Sequence, residues 1–502
     1  MNHTLNNNAN FKMMRTPNVN SSLVTSLFTI LLCLCVLLAS AQQTPNERII
    51  QVENNLTGRI LTSGEKPMNL QERMKHYNIK ALSIAVIKDY KVDFAKAYGL
   101  ADSATQSKAS ISTLFQAASI SKSFNALAII KLFHDKKLDL YTDVNTYLKK
   151  WKFPYDSLSK GKKINTAHLL SHTAGLNVHG FGGYQIDAPL PNTIQILNGT
   201  KPANSDPVRS QFAPGEKMQY SGGGTTITQQ LLTDLTGKPY QDYLNQTILK
   251  SLDMNESTFA QPPLDNKKRH LATGYLADGS AIKGKHHVYP EQAAAGLWTN
   301  PSDLAKYIIE TQLAYQGKSS KVLNQSDTRI RLTPYANSNG SALGVFIESP
   351  DSTAYFGHGG SNYGFHSAYY GSLEGGNGLA IMVNSDNGAI IPEIINSIAK
   401  VYSFKSLYQT KVMNISDVPE SLLESYTGRY ELMPNFILTI TKQGKRLFAQ
   451  ATGQPKIEAL PESQTKFFSK EINGTIEFVK DENGKIKELI LIQGRTIHAR
   501  KL

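Results

Sequence analysis

The sequence predicts an α+β fold, with an antiparallel sheet built from both ends of one large domain, flanking helices and a helical insert, followed by a small all-β domain. Three observations support this. A strand pair is predicted at 82–98, short apolar runs typical of strands return between 340 and 386, and strand patterns alternate with turns beyond Pro419. The 502 residues suit one large and one smaller domain, which we place at 42–410 and 415–502.

The first 41 residues have the pattern of a cleavable signal peptide. Lys12 and Arg15 precede an apolar core, Leu23–Leu38, and small residues follow up to Ala41. A retained membrane anchor would need about 20 apolar residues, and polar residues interrupt this shorter run. We therefore expect cleavage after Ala41 and an exported protein, periplasmic or secreted, without a stable membrane span.

The cysteine count and the charge exclude several classes of protein. Both cysteines, Cys33 and Cys35, lie in the predicted signal segment, so the mature chain would have no disulfide, cysteine nucleophile or cysteine metal site. The formal charge is +13, but the basic residues are scattered, which disfavours nucleic-acid binding. His286 and His287 lack an accompanying ligand pattern, so we predict neither a metal nor another cofactor.

Within the large domain, hydrophobic periodicity predicts helices and strands in alternating blocks. The predicted helices are Gln51–Tyr77, a run starting at Ser119, a short helix within Leu138–Leu148, Ile164–Leu170, Thr226–Thr236, Tyr240–Leu252 and Ile390–Tyr402. The predicted strands are Leu82–Ile87, Val92–Tyr98, Leu343–Glu348, Tyr355–Gly357, Phe365–Tyr370 and Leu379–Asn384. Residues 177–216 are rich in glycine and proline and are predicted to be irregular, which in a compact domain often accompanies function. In the small domain, Asn483-Gly484 between alternating runs predicts a hairpin.

Ser119 and Lys122 are the first candidate pair for chemistry. They stand three residues apart at the start of an apolar helical run, so their side chains share one helix face. The spacing alone is weak, because it recurs at Ser157/Lys160, Ser280/Lys283 and Ser463/Lys466. What distinguishes Ser119 is its context: small residues precede it, an apolar helix follows, and two further segments occur downstream.

The two downstream segments are Gly215–Gly224, which contains Tyr220-Ser-Gly222, and Tyr355–Ser361, which contains His358-Gly-Gly360. With the Ser119 segment, they resemble the serine β-lactamase and penicillin-binding protein superfamily, and within it the class C β-lactamase-related branch. The resemblance covers about residues 50–405. Supporting segments are Leu169–Leu176 and Ala294–Leu304, and the tail resembles a small β-rich domain often fused to such enzymes.

The resemblance implies a role for each of these residues. Ser119 would be the acylated nucleophile, and Lys122 and Tyr220 would take and return its proton, since a serine hydroxyl is a poor nucleophile until a base removes its proton. The oxyanion hole would be the N–H groups of Ser119 and Ser361, and a lost oxyanion donor typically costs about 10²–10³ in rate. His358, Gly360 and Gly222 would line the substrate.

Two departures from the family's pattern bear on the substrate. His358 stands where a lysine is common, and Tyr220-Ser-Gly222 lacks the asparagine often found at its third position. Both count against an efficient β-lactamase, and they leave esterase, D,D-carboxypeptidase and D-aminopeptidase activities open. The substrate would be a small ester, amide or D-amino-acid peptide, a class that includes peptidoglycan fragments.

The alternatives for these residues are structural. Ser119 could be a helix cap, Tyr220 a core tyrosine and His358 a packed strand histidine. We interpret His172 as a structural residue that orients a loop. At the level of the whole protein, the alternative is a non-catalytic envelope binding or sensor protein that retains the fold, which would bind ligand without turnover.

Overall fold

The computed structural model of the protein describes Met1 and residues 44–268, 270–348 and 353–502. The predicted signal segment apart from Met1 lies outside the described residues, with both cysteines and the expected cleavage site. Residues 49–502 form one compact unit, which holds every site discussed below. Within the described ranges, no helix combines the length and the apolar character that a membrane span requires.

Helices form the middle of the large domain and cover its sheet. Several begin at a residue whose side-chain oxygen accepts a hydrogen bond from the first turn, as at Asn165, Ser221 and Asn300. In chain order the α-helices are α1 (Pro45–Asn54), α2 (Leu70–His76), α3 (Ser121–Lys136), α4 (Val144–Tyr147), α5 (Thr166–Leu170), α6 (Thr193–Asn198), α7 (Gly222–Thr236), α8 (Tyr240–Leu244), α9 (Asp265–Lys268), α10 (Gln292–Ala295), α11 (Pro301–Tyr315), α12 (Gln325–Arg331), α13 (Ile390–Tyr402) and α14 (Glu420–Tyr426).

The strands of the large domain are β1 (Ile60–Thr62), β2 (Ala81–Lys88), β3 (Lys91–Asp102), β4 (Ser107–Lys108), β5 (Phe115–Gln116), β6 (Trp298–Thr299), β7 (Phe346–Glu348), β8 (Tyr355–Asn362), β9 (Phe365–Ser372), β10 (Gly378–Val383) and β11 (Lys411–Met413). Seven of them form a sheet in the order β4-β3-β2-β10-β9-β8-β7. The early strand β2 pairs with the late strand β10 in antiparallel register. The predicted antiparallel sheet from both ends of the domain is therefore confirmed.

The central strand β2 explains why this sheet has two cores. Its residues are buried on both faces. Ala81, Ala85 and Ile87 pack on one side with the helical middle of the domain, and Leu82, Ile84 and Val86 pack on the other with helices α2 and α13. Because side chains alternate along a strand, one apolar run contributes to both cores.

Some predicted elements differ from the structure. Gln51–Tyr77 is not one helix: the chain leaves α1, forms β1 and re-enters a helix at α2, and β1 pairs with the distant strand β11. The strand predicted at Leu343–Glu348 begins only at Phe346, and the one predicted at Tyr355–Gly357 continues to Asn362. The irregular stretch 177–216 contains helix α6.

The small domain is an eight-stranded closed barrel that follows helix α14. Its strands pair in sequence order, and the first strand closes onto the last. The strands are β12 (Gly428–Met433), β13 (Phe436–Gln443), β14 (Arg446–Ala451), β15 (Ile457–Pro461), β16 (Lys466–Phe468), β17 (Thr475–Lys480), β18 (Ile486–Gln493) and β19 (Arg495–Lys501). The prediction of a small all-β domain is confirmed, although the sequence patterns did not predict that it closes.

Candidate active site

Ser119 lies on a tight turn between strand β5 and helix α3. The turn is the 3₁₀ segment Ala118–Ile120, and Ala118 has φ = +50°, a left-handed conformation that is unfavourable for a residue with a side chain. Ser367 Oγ donates to the Ala117 carbonyl at 3.0 Å, and Ser121 Oγ donates to the Ala118 carbonyl at 2.6 Å. The fold therefore holds the Ser119 backbone in one conformation at the start of a helix.

The amine of Lys122 contacts the hydroxyl of Ser119. Lys122 Nζ lies 3.1 Å from Ser119 Oγ and 2.8 Å from the carbonyl oxygen of Ala294, and the side chain is only 4% exposed. Among the described residues, no carboxylate forms an ion pair with it. The amine is thus surrounded by neutral oxygens and an aromatic ring, and burying a cation in such an environment without a counter-charge is costly.

Tyr220 joins this pair through its ring rather than through its hydroxyl. Lys122 Nζ lies 5.0 Å from the centroid of the Tyr220 ring, a cation–π geometry. In the described part of the chain, the Tyr220 hydroxyl makes no hydrogen bond to Ser119 or Lys122. The structure therefore brings the phenol next to the amine without joining all three groups in one hydrogen-bonded chain.

His172 positions Tyr220. Its Nδ1 accepts a hydrogen bond from the N–H of Ser221 at 3.2 Å, and its ring lies 4.2 Å from the Tyr220 ring. Burial lowers the pKa of His172 well below its ordinary value, and the charge of Lys122 lowers it further. A neutral His172 that holds the Tyr220 segment agrees with the loop-orienting role predicted for it.

His358 presents a hydrogen-bond acceptor to its surroundings. Its Nδ1 lies 2.6 Å from the carbonyl oxygen of Gly359, and since a carbonyl only accepts, Nδ1 carries the proton and Nε2 a lone pair. Nε2 is buried and has no partner among the described residues. Burial, and then the charge of Lys122, lower the pKa of His358 to about 3. At neutral pH this residue is therefore an acceptor and not a cation.

Because His358 is neutral in the folded protein, we expect the free energy of unfolding to decrease as the pH falls. Between its ordinary pKa of 6.5 and the lowered value of about 3, the unfolded chain binds a proton here that the folded chain does not, so stability falls as pH falls. From pH 7.5 to pH 5, this one group costs about 2 kcal/mol. Urea unfolding of wild type and His358→Gln at both values should show wild type losing about 2 kcal/mol more. Equal losses would mean that the histidine is not buried as a neutral group.

Ser361 and Ser119 supply the two N–H groups that the resemblance assigns to an oxyanion hole. Asn362 and Phe365 close a two-residue hairpin, so Ser361 and His366 form the next, non-hydrogen-bonded pair. The Ser361 N–H therefore faces away from β9, along a stretch of β8 that β7 does not reach. Ser119 is in the first turn before α3, where N–H groups have no intrahelical partner.

Gly360 lets strand β8 approach the Ser119 turn. A Cβ at this position would lie 2.2 Å from the Ala117 carbonyl oxygen and 3.1 Å from the Ala118 Cβ. We expect Gly360→Ala to displace the turn and to destabilise the protein by about 1–3 kcal/mol, measured by urea unfolding. Gly359→Ala is the matched control, because its Cβ would meet nothing closer than 3.7 Å. Equal effects of the two variants would contradict this close approach.

Gly222, which the resemblance places along the substrate, has its N–H engaged within the protein. Its N–H donates to the His179 carbonyl at 3.1 Å, and a Cβ there would lie 3.0 Å from the Phe181 ring. Gly222 thus begins α7 in a crowded position, and its N–H is not available to a substrate. Because Gly222 has no side chain, the start of α7 can pack closely against the Phe181 ring.

Several residues of the site were not predicted. The carbonyl of Ala294 binds Lys122, and Asn362 donates to Gln116 Oε1 at 2.8 Å and to the Ala295 carbonyl at 3.1 Å. Phe346 lies 5.2 Å from the His358 ring. The Ala294–Leu304 segment stood out in the sequence, but a backbone carbonyl leaves no residue-type signal. In the part of the chain that the structure describes, no cluster of three or more histidine, cysteine or acidic residues could hold a metal.

Two protein-family models match this sequence, and together they cover most of the chain. The family model described as Beta-lactamase matches residues 68–394, and the Domain of unknown function (DUF3471) matches residues 415–500. Protein flp of Staphylococcus aureus (strain N315) is 24% identical over 376 residues, 74% of this chain and 71% of that protein. Penicillin-binding protein 4* of Bacillus subtilis (strain 168) is 23% identical over 435 residues, 79% of this chain and 89% of that protein.

Solved structures agree on the fold. The octameric penicillin-binding protein homologue from Pyrococcus abyssi has a TM-score of 0.59 at 22% identity, and the match covers 86% of this chain and 98% of that one. SurE has a TM-score of 0.55 at 18% identity, with 86% of this chain and 97% of that one covered. At such identities the likeness concerns the fold alone. Because the family model spans most of the large domain, the chain belongs to the Beta-lactamase family.

Proposed function

We propose that the protein is an exported serine hydrolase of the class C β-lactamase-related type, which acts through an acyl-enzyme on Ser119. Its substrates would be small esters, amides or D-amino-acid peptides, including fragments of peptidoglycan. The observation that carries the proposal is the 3.1 Å contact between Lys122 Nζ and Ser119 Oγ, made by a buried amine that has no carboxylate partner among the described residues. Members of the Beta-lactamase family are serine hydrolases.

In the proposed first step, a base takes the proton of Ser119 Oγ as that oxygen attacks the substrate carbonyl carbon. The base is the lone pair of Lys122 Nζ when this nitrogen is uncharged, or the Tyr220 oxygen when the phenol has lost its proton. The developing oxyanion accepts hydrogen bonds from the N–H groups of Ser119 and Ser361. The bond from the carbonyl carbon to the leaving group then breaks as the base gives its proton to that group, and the carbonyl carbon remains bound to Ser119 as an ester.

In the second step, water attacks the ester carbon, and its proton passes to the same base. The bond to Ser119 Oγ breaks, the serine regains a proton, and the acid product leaves. Tyr220 takes part only if its hydroxyl turns toward Ser119 when substrate binds, which is consistent with the tightening of catalytic hydrogen bonds in substrate complexes.

His358 supports a preference among substrates. Its buried Nε2 has a lone pair that is free to accept a hydrogen bond from a substrate, since it has no partner among the described residues, and the uncharged imidazole gives a substrate carboxylate no attractive charge. Substrates with an N–H or O–H near this atom are therefore favoured over those that need a carboxylate anchor. This supports ester and D-aminoacyl substrates over β-lactams.

A hydrolysis panel tests the proposal. Purified full-length protein is assayed with p-nitrophenyl esters, D-alanyl peptides and nitrocefin, and we expect turnover of esters or D-peptides to exceed turnover of nitrocefin. Export is tested separately, by sequencing the N-terminus of protein recovered from the cell envelope or the medium, which we expect to begin at Gln42.

The Tyr220 hydroxyl has no hydrogen bond to Ser119 or Lys122 within the described ranges, which favours a second candidate, a non-catalytic envelope binding or sensor protein. Such a protein would bind peptide fragments without turnover, and Lys122→Ala would leave binding unchanged. Absence of turnover across the panel, together with saturable binding of a D-alanyl peptide, would favour this candidate.

A further inference from the structure

The barrel has a filled end and an end with a cavity. On four strands, one inward residue belongs to the cavity wall and the next inward residue belongs to the filled end. These pairs, with the cavity residue first, are Leu432/Tyr430, Leu438/Ile440, Ile476/Phe478 and Leu491/Leu489. At the filled end, Tyr426 of helix α14 stacks on Phe478 with the ring centroids 4.0 Å apart. The cavity described next lies at the other end.

The cavity has a volume of about 150 Å³, and short side chains create it. Ala449, Ala451 and Ala459 contribute to its wall where neighbouring positions carry leucine or isoleucine. Ala451 is opposite Leu438 and Ala449 is opposite Ile457 in the strand registers. A larger side chain at any of the three would fill the space, so the sequence leaves a void where dispersion contacts are lost.

The wall of the cavity is mostly apolar, and two of its polar side chains, Gln454 and Gln493, are exposed and mark its rim. The nearest carboxylate, Glu458, is occupied elsewhere, since both of its oxygens accept hydrogen bonds from Arg446 at 2.6 Å. The other polar side chain of the lining, Ser469, is buried, and its hydroxyl donates to Glu471 Oε2 at 2.5 Å. An occupant of the interior is therefore uncharged and apolar, and any polar part of it lies at the rim.

We propose that the barrel is a binding site for a small, uncharged apolar group, either a whole molecule of about six carbons or the apolar end of a larger one. An eight-stranded barrel is just wide enough to be filled by side chains or to hold one small ligand. Apolar cavities of about 150 Å³ admit benzene. This assignment is independent of the chemistry proposed for Ser119.

The cavity adjoins a larger cleft, through which an occupant would enter. Phe468 and Gly474 line both the cavity and a cleft of about 680 Å³ between the barrel and the large domain. Arg59 and Lys411 from the large domain and Lys466 from the barrel also line this cleft, with one carboxylate, Glu462, so basic residues outnumber acidic ones there. A ligand with an acidic head and a short apolar tail could thus place its tail in the cavity and its head in the cleft, whereas a neutral ligand would use the cavity alone.

The test uses full-length protein and two probes, fluorobenzene and hexanoate. Fluorobenzene binding is followed by ¹⁹F NMR line broadening, and hexanoate is titrated as its competitor. Ala449→Phe fills the cavity, Ala451→Leu fills it more gently, and Gln450→Phe adds the same ring to the outer face of the same strand as the matched control. Thermal unfolding of each variant establishes that the barrel is folded.

We expect saturable binding of fluorobenzene to wild type and to Gln450→Phe, weakened by at least about tenfold in folded Ala449→Phe or Ala451→Leu. Displacement by hexanoate would assign the ligand class to acidic amphiphiles, and lack of displacement would assign it to neutral apolar molecules. Absence of saturable binding to wild type, or equal binding to the cavity-filled variants and the control, would overturn the proposal.

Discussion

Replacing Ser119 with alanine is expected to lower kcat for the best ester or peptide substrate by about 10⁴- to 10⁶-fold, the range seen when an acyl-enzyme nucleophile is removed. The substitution deletes the hydroxyl that lies 3.1 Å from Lys122 Nζ, while the turn that holds the Ser119 backbone is fixed by Ser121 and Ser367. The measurement is steady-state hydrolysis by wild type and variant at matched folded concentration.

Ser157→Ala is the control for this prediction. Ser157 and Lys160 repeat the same spacing on an exposed 3₁₀ turn, and Lys160 pairs there with Glu216. We expect this variant to keep wild-type rates. Hydrolysis that survives Ser119→Ala, or that is lost equally in Ser157→Ala, would remove the basis for a Ser119 nucleophile.

Lys122→Met should lower the rate of hydrolysis without lowering the stability of the protein. Loss of the amine removes the partner of Ser119 Oγ, and removing a proton-transfer group typically costs about 10²–10⁴ in rate. Methionine has a similar length and no charge to bury, so the melting temperature should stay unchanged or rise. Kinetics and thermal unfolding of the same preparation check both parts.

The pKa values of the two neighbouring histidines provide a second measurement on Lys122→Met. The charge of Lys122 contributes to the low pKa values of His172 and His358, so both should rise in Lys122→Met, as followed by NMR titration of the imidazole protons. Lys160→Met is the matched control and should change neither rate nor these titrations. A large loss of stability with activity retained would make Lys122 a structural residue.

Much of the fold could be predicted because its patterns are local. The hairpin of β2 and β3 follows from two short runs rich in apolar residues on either side of a two-residue turn, and Asp89 and Tyr90 both adopt the positive φ that such a turn needs. Similarly, the apolar period after Ser119 predicted helix α3, and the one-turn spacing predicted the contact with Lys122. In both cases, residues close in sequence determine the geometry.

What could not be predicted depends on contacts between distant segments. The periodicity of 51–77 favoured one helix, but β1 is formed by pairing with β11, some 350 residues later. Closure of the barrel requires β12 to meet β19, and local alternation carries no information about that register. The orientation of the Tyr220 ring is likewise set by His172 and Phe346, which come from two other segments of the chain.

The most direct test of a Ser119 acyl-enzyme is covalent labelling with a fluorophosphonate. Full-length protein is labelled and digested with trypsin, and the peptide of residues 109–122 is fragmented, because it contains four serines. The account predicts one adduct per chain, located on Ser119 and absent from Ser119→Ala. An adduct on a different serine, or undiminished labelling of the variant, would contradict it.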